Sequence, residues 1–186
     1  MANETDSQYV LIGPKKDIDT IYNELDKIDT ESDNAYTLLS NLGMSEDKIE
    51  EFNLRCWFKD YDRIDNIILS IDAGEAWTVT DFKDALQELF PDIAIWFLVI
   101  EPGCDVFLSN DPNHIVFNGN YYLDVSSENG ADEVCFLKTK DECVNVINRL
   151  FNTELKTYEE MKAYIDDVLN KEEGTKIILG EITYID

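Results

Sequence analysis

Histidine is the side chain that most often serves as a general base near neutral pH, and this chain of 186 residues has one, His114. Any Ser-His-Asp or Cys-His reaction would therefore have to use it. His114 follows Pro112 and Asn113 in a turn-forming segment, and no serine in a GxSxG elbow accompanies it. We interpret His114 as a surface turn residue, and we assign no catalytic residue.

Carboxylates are the second type of side chain that could form a site, because hard cations need only carboxylate and carbonyl oxygens as ligands. Four acids lie close enough along the chain to be considered as Mg²⁺ or Ca²⁺ ligands: Asp105, Asp111, Asp124 and Glu128. The segment 124–130 is similar to a calcium loop, but its glycine comes one position late and Cys135 replaces the closing glutamate. Because 40 acids in 186 residues form such groups by chance, we prefer a solvated turn and predict no metal and no other cofactor.

An aromatic ring beside acids would suit a substrate cleft. Trp77 stands just before the predicted helix 79–90, at a strand-to-helix junction where its ring would line such a cleft. The candidate cleft consists of Trp77, Glu101, Asp105 and Asp111. The glycines form no GxGxxG or P-loop pattern, so nothing in the sequence indicates a nucleotide.

The cysteines and the absence of long apolar runs indicate the compartment. Cys56, Cys104, Cys135 and Cys143 show no CxxC spacing, and we expect buried, reduced thiols rather than disulfides. No apolar run reaches eighteen residues, and the N-terminus lacks the basic start and apolar centre of a secretion signal. We therefore expect a soluble, cytoplasmic protein.

Charge is the most unusual property of the chain, with 40 acids, 15 bases and a formal charge of −25. Residues 1–100 hold 22 of the acids and residues 101–186 hold 18, so the excess is not a tail. Such a surface repels nucleic acid backbones and anionic membranes and attracts basic proteins. Direct binding to nucleic acid or to a membrane is therefore not expected.

The elements that must position these side chains can be read from hydrophobic periodicity. A predicted strand–helix pair opens the chain, and the run at 93–100 is apolar enough for the most buried strand. The predicted elements are a strand at 8–13, a helix after Pro14, strands at 53–61 and 67–71, a helix at 79–90 and a strand at 93–100. This is the ferredoxin-like order βαββαβ, an α+β fold with an antiparallel sheet, with a helical insertion at 30–52. Residues 1–7 are polar and are expected to fray.

Short strands and two helices are predicted after Gly103. Capping boxes at Thr139–Glu142 and Thr157–Glu160 each precede an amphipathic helix. The predicted strands cover 104–108, 114–117, 121–125, 134–137 and 175–185. We divide the chain into a core at 1–103 and a β/α extension at 104–186 packed on the same domain.

Several segments of the chain resemble a known group of proteins. They are Asp72-Ala-Gly-Glu-Ala-Trp77, Phe90-Pro-Asp-Ile93, Ile100-Glu-Pro-Gly-Cys-Asp105, Ser109-Asn-Asp111 and Tyr121-Tyr-Leu-Asp124. Together they resemble uncharacterised bacterial proteins with a YubB-type ferredoxin-like domain, although Ala73-Gly74 replaces a Glu-Thr pair. The resemblance covers roughly residues 54–125. It implies a ferredoxin-like core and carriage on bacterial mobile elements, and it brings no established activity.

These observations favour a non-enzymatic, acidic protein-interaction module that binds a basic partner. One alternative is a mimic of DNA, in which surface carboxylates imitate phosphates and occupy a DNA-binding protein. Another is an enzyme that uses the carboxylates of the candidate cleft, with or without a divalent cation. The oligomeric state is open, and an exposed edge strand would allow a dimer.

Overall fold

A computed structural model describes residues 4–28, 34–52, 54–76, 80–128, 130–167, 171 and 174–185. These residues form a mixed α/β structure with six α-helices and two sheets, of six and three strands. The chain divides into two compact units, Met1–Asp111 with Ile185–Asp186, and Pro112–Tyr184. The predicted boundary after Gly103 lies within the first unit.

The first unit contains all six predicted elements of the core and the helices of the predicted insertion. In chain order they are β1 (Glu4–Ile12), α1 (Lys15–Leu25), α2 (Asn34–Asn41), α3 (Glu46–Glu51), β2 (Cys56–Arg63), β3 (Ile68–Ala76), α4 (Asp81–Leu89) and β4 (Ala94–Glu101). A short 3₁₀ turn, Pro102–Cys104, then leads into β5 (Val106–Ser109). The two hydrophobic periods, about 3.6 and 2.0 residues, therefore located these helices and strands within a few residues.

The strands of the first unit run in the order β2-β3-β1-β4-β5, and every neighbouring pair is antiparallel. Strand β1 is central, with Tyr9 opposite Ile71 of β3 on one side and Phe97 of β4 on the other. Because side chains alternate along a strand, this register puts Tyr9, Ile71 and Phe97 on one face of the sheet. We call this the inner face and the opposite one the outer face.

The inner face and helices α1 and α4 form the core of the first unit. Helix α1 buries Ile18, Ile21 and Leu25, which share one side of the helix. From α4, the Phe82 ring meets Tyr9 edge-on with the ring centroids 5.2 Å apart, and it lies at the same distance from Phe58. Edge-to-face packing of buried rings adds to the free energy gained from burying their area.

The second unit contains a smaller antiparallel sheet in the order β7-β6-β8. Its elements are β6 (Tyr121–Ser127), β7 (Asp132–Leu137), α5 (Lys140–Phe151), α6 (Tyr158–Asp167), β8 (Thr175–Glu181) and β9 (Thr183–Tyr184). The core contains Leu123 and Val125 from β6 and Ile147 and Met161 from the helices. The predicted capping box of α5 is confirmed, because Thr139 Oγ1 accepts from Glu142 N–H and the Glu142 carboxylate accepts from Thr139 N–H.

Three local expectations are wrong. Residues 4–7 do not fray but begin β1, because Thr5 and Ser7 are buried opposite β3. The segment 114–117 is not a strand, and His114 adopts a positive φ of 54°. The expectation of four buried thiols holds for Cys56 and Cys143 only, since Cys104 is exposed and Cys135 is half-buried; none of these four described cysteines forms a disulfide.

Among the described helices, none has both the length and the apolar character that crossing a bilayer requires.

Gly74 on the outer face gives a test of the register. It lies opposite Trp57 of β2, and a Cβ atom on Gly74 would overlap the atoms of the indole ring. We expect Gly74→Ala to lower the free energy of unfolding by about 1–3 kcal/mol, because the ring must move off the strand. Chemical denaturation followed by tryptophan fluorescence measures this change.

Gly103→Ala is the matched control, since no atom lies within 4 Å of a Cβ at Gly103. We expect this variant to be as stable as the parent chain or slightly more stable. Equal stability of the two variants would contradict the predicted contact between Gly74 and Trp57.

Candidate functional site

The structure places the residues of the predicted cleft at two separate positions, apart from Trp77, which lies outside the described residues. Glu101 ends β4 and is half-buried, and Asp105 follows the 3₁₀ turn, exposed and with a positive φ of 59°. Asp111 is fully buried beyond the other end of β5. The length of β5, more than ~10 Å, therefore separates Asp111 from the other two acids.

The side chain of Asn110 holds the chain against β4 just before Asp111. This side chain takes the place of a further β5 residue, because Oδ1 accepts from Phe97 N–H at 2.7 Å and Nδ2 donates to Ile95 O at 2.8 Å. Asp111 N–H then donates to Ser109 Oγ at 3.1 Å. The backbone of Asp111 is thus held by the side chain of Ser109, the last residue of β5.

The residues considered as cation ligands do not form a metal site in the described part of the chain. Nowhere in that part are three His, Cys, Asp or Glu side chains grouped so that they could hold a metal ion. Asp124 is half-buried within β6, and Glu128 is exposed at the turn that follows.

The most perturbed acid is Glu75, which sequence reasoning did not select. Strand β3 continues past its predicted end at Ile71, and its alternation places Leu69, Ile71, Ala73 and Glu75 on the inner face. Glu75 is 1% exposed. The sequence does contain a signal for this position. Glu75 continues the alternation in which Leu69, Ile71 and Ala73 occupy every second position.

Glu75 is surrounded by polar groups from the two neighbouring strands. It lies opposite Thr5 of β1 and Cys56 of β2, and Thr5 Oγ1 donates to the backbone oxygen of Glu75 at 3.2 Å. The Tyr9 hydroxyl donates to Glu75 Oε1. Among the described residues, Glu75 Oε2 has no hydrogen-bond partner.

The small side chains of Ser7 and Ala73 allow this contact. They occupy the inner-face positions between Tyr9 and Glu75, where a larger side chain would block the phenol ring from reaching along the sheet. The contact therefore depends on two small residues in adjacent strands.

Burial raises the pKa of Glu75 from its ordinary value of 4.5 to about 8. Hydrogen bonds from Tyr9 and Cys56 favour the carboxylate and oppose this shift, whereas the nearby Asp81 carboxylate adds to it. Burial, followed by the Glu75 charge, also raises the pKa of Tyr9 well above its usual value. Glu75 is therefore mostly protonated at neutral pH, and it can both donate and accept a proton.

A second arrangement of acids lies on the outer face of the same sheet. Phe58 pairs with Ala73, but Asp60 and not Lys59 pairs with Asp72, so Lys59 is the extra residue of a β-bulge. Without the bulge, Lys59 would face Asp72 and Asp60 would turn to the inner face. The bulge therefore replaces a Lys–Asp pair with an Asp–Asp pair.

Four exposed acids form this surface, which we call the aspartate face: Asp6, Asp60, Asp62 and Asp72. Lys59 Nζ lies 2.6 Å from Asp6 Oδ1, and Gln8 Nε2 donates to Asp72 Oδ1 at 3.1 Å. In the described part of the chain, no lysine or arginine pairs with Asp60, Asp62 or Asp72. Their charges are therefore available to a partner.

The raised pKa of Glu75 predicts how the stability of the first unit depends on pH. The folded state keeps the Glu75 proton up to about pH 8, whereas the unfolded chain releases it near 4.5. The stabilisation that comes from the Glu75 proton is fully present below pH 4.5 and is lost as the pH rises through 8; its total is about 5 kcal/mol. Glu75→Gln, which keeps a neutral side chain, should remove that part of the pH dependence.

Unfolding followed by tryptophan fluorescence reports on the first unit, because Trp57, Trp77 and Trp96 all belong to it. We expect the stability of Glu75→Gln, relative to the parent chain, to increase between about pH 5 and about pH 9. The exposed Glu50→Gln should follow the parent chain throughout. Parallel curves for the parent chain and Glu75→Gln would contradict a buried, protonated Glu75.

The first unit thus carries two candidate sites of different chemistry, a buried neutral acid and an exposed set of ionised acids. No protein-family model, no curated protein and no solved structure matches this chain.

Proposed function

We propose that the chain is an acidic protein-interaction module that binds a basic partner through the aspartate face. The observation that carries this proposal is the direct pairing of Asp60 with Asp72 across β2 and β3. Like charges directly opposite each other in a sheet are destabilising, by about 0.5 kcal/mol in exposed pairs. A bulge that creates such a pair lowers stability and leaves a concentrated negative charge exposed.

Arg63 and Lys15, two cations of the first unit, pair with Asp19 of α1 and not with the aspartate face. Arg63, next to Asp62 in β2, pairs with Asp19 of α1, and its guanidinium lies 5.8 Å from the centre of the Tyr22 ring. The Lys15 side chain donates to Asp19 and Arg63 forms an ion pair with it, and both contacts lower the pKa of Asp19. Because these two cations pair with a residue of α1 and Lys59 pairs with Asp6, the described lysines and arginines leave Asp60, Asp62 and Asp72 without a salt bridge.

The net charge supports the same proposal. A formal charge of −25 attracts a cationic partner over long range and raises the rate of encounter. Exposed charges act through water and are screened by salt, so binding at the aspartate face weakens as the salt concentration increases.

We also propose that the first unit has a ferredoxin-like core. The order of elements βαββαβ and the strand arrangement β2-β3-β1-β4, with antiparallel neighbours, support it. The proposal also includes what the resemblance to YubB-type domains implies, namely that the chain is carried by a bacterial mobile element.

Removal of the paired charges tests the proposal. The immobilised parent chain should capture basic proteins from a bacterial lysate at low salt and lose them at high salt. Asp60→Asn/Asp72→Asn should reduce capture of its principal partner by roughly tenfold or more, because two uncompensated charges at the contact are lost.

Asp92→Asn/Asp166→Asn is the matched control, since it removes two exposed carboxylates outside the aspartate face. This variant has the same net charge as Asp60→Asn/Asp72→Asn and should capture nearly as much partner as the parent chain. An equal loss in both double variants would show that binding depends on total charge alone and would contradict a role for the aspartate face.

Regular spacing of the acids favours DNA mimicry as a second candidate function. Asp60 and Asp62 lie two residues apart on one strand, about 6.6–6.8 Å, and Asp72 lies beside Asp60 on the next. A DNA duplex also presents a regular array of negative charges. If the captured partner is a DNA-binding protein, duplex DNA should displace it from the immobilised chain; a partner that keeps binding DNA in the complex excludes mimicry.

A further inference from the structure

Apolar side chains continue the aspartate face beyond the end of β2. Strand alternation places Ile64 on the same side of the sheet as Asp60 and Asp62, since each lies two residues after the one before. Ile64 N–H donates to Ile68 O at 3.1 Å, and Ile68 pairs with Ile12 of β1, so isoleucines from adjacent strands lie side by side on the outer face. Ile64 is 59% exposed, and Ile67 in the same turn is 46% exposed. We call these four residues the isoleucine tip: Ile12, Ile64, Ile67 and Ile68.

Hydrogen bonds hold the turn that presents the isoleucine tip. Asp65 Oδ1 accepts from Ile67 N–H at 2.7 Å, and Arg63 Nε donates to Asp65 O at 3.0 Å. Arg63 also pairs with Asp19, which ties the turn to α1. A surface that is ordered before binding loses little conformational entropy when a partner covers it.

The isoleucine tip and the aspartate face together fit a partner that carries both apolar and basic side chains. Exposed apolar residues bordered by charged ones mark interaction surfaces, and carboxylates select cations. A second copy of this chain does not have this chemistry, because two chains of formal charge −25 repel each other.

The edge of β2 is poorly suited to receive another strand. This edge has no neighbouring strand in the described part of the six-stranded sheet. The bulge at Lys59 interrupts its ladder, and Tyr61 N–H donates to Asp60 Oδ1 at 2.9 Å. Bulges and charged side chains are the means by which natural edges resist strand addition. A partner is therefore expected to lie across the outer face.

We propose that the basic partner docks an amphipathic helix on the outer face, with an apolar residue over Ile64 and cations at Asp62 and Asp60. Two residues of a strand span about 6.6–6.8 Å, and four residues of a helix span about 6 Å. A helix along β2 therefore matches these three positions with an apolar residue and with lysines or arginines four and eight residues away. This inference rests on the proposed function and adds the conformation and the sequence pattern of the partner.

A synthetic peptide tests the inference by fluorescence anisotropy with the full chain at low salt. The peptide is an alanine-based helix with a central leucine and with lysines four and eight residues to either side, so that it fits β2 in both directions. The control peptide has the same composition, but its lysines stand two and six residues from the leucine, on the opposite side of the helix. The parent chain should bind the first peptide roughly tenfold more tightly than the control peptide.

Ile64→Ser should weaken binding of the first peptide roughly tenfold, because the leucine loses its apolar contact. Ile115→Ser is the matched control, since Ile115 is 61% exposed and belongs to the second unit, and it should bind the peptide as the parent chain does. Circular dichroism spectra matching that of the parent chain establish that both variants are folded.

A parent chain that binds neither peptide, or binds both equally, would overturn the inference, and so would unchanged binding by Ile64→Ser. The partner captured from lysate separates this inference from the proposed function. If Asp60→Asn/Asp72→Asn loses that partner and Ile64→Ser keeps it, the aspartate face binds a basic partner without the isoleucine tip, and the helix inference alone fails. If both variants keep the partner, the proposed function fails as well.

Discussion

The register of β1 against β3 and β4 decides which carboxylates of the central sheet meet water and which are buried. Tyr9 faces Ile71 and Phe97 on the inner side, and every other position along these strands follows from that alignment. A shift of one residue would bring Asp6 into the core and expose Tyr9. The aromatic contacts of Tyr9 with Phe82 and Phe97 therefore fix the chemistry of both faces.

Two acids of β3 experience opposite environments as a result. Glu75 is buried beneath Tyr9 and remains protonated, whereas Asp72, three residues earlier, is exposed opposite Asp60. Both arrangements lower the stability of the sheet, the first by desolvating a carboxyl group and the second by opposing like charges. The exposed pair is the one accessible to a macromolecular partner, and for that reason the proposed function rests on it.

Sequence patterns identified the elements whose signal is local. Phe82, Ala85 and Leu86 define α4 through helical spacing, and Thr139 with Glu142 marks the start of α5. The protonation state of Glu75 depends on Tyr9, which lies 66 residues away, and no short stretch of the sequence contains both residues. The Asp60–Asp72 pair depends on a bulge at Lys59, which alternation alone does not reveal. Pro112 and Asn113 predict a turn at His114, and this turn signal conflicts with the strand predicted for 114–117, which is wrong.

The protonation state of Glu75 tests the inner-face register most directly. A ¹³C NMR titration of the glutamate side-chain carboxyl carbons, in the parent chain and in Glu75→Gln, resolves it without unfolding the protein. The account predicts one carboxyl resonance that titrates near pH 8 and is missing in the variant. If all glutamate carboxyls titrate below about pH 6, as solvated acids do, then Glu75 does not face the core and the register is wrong.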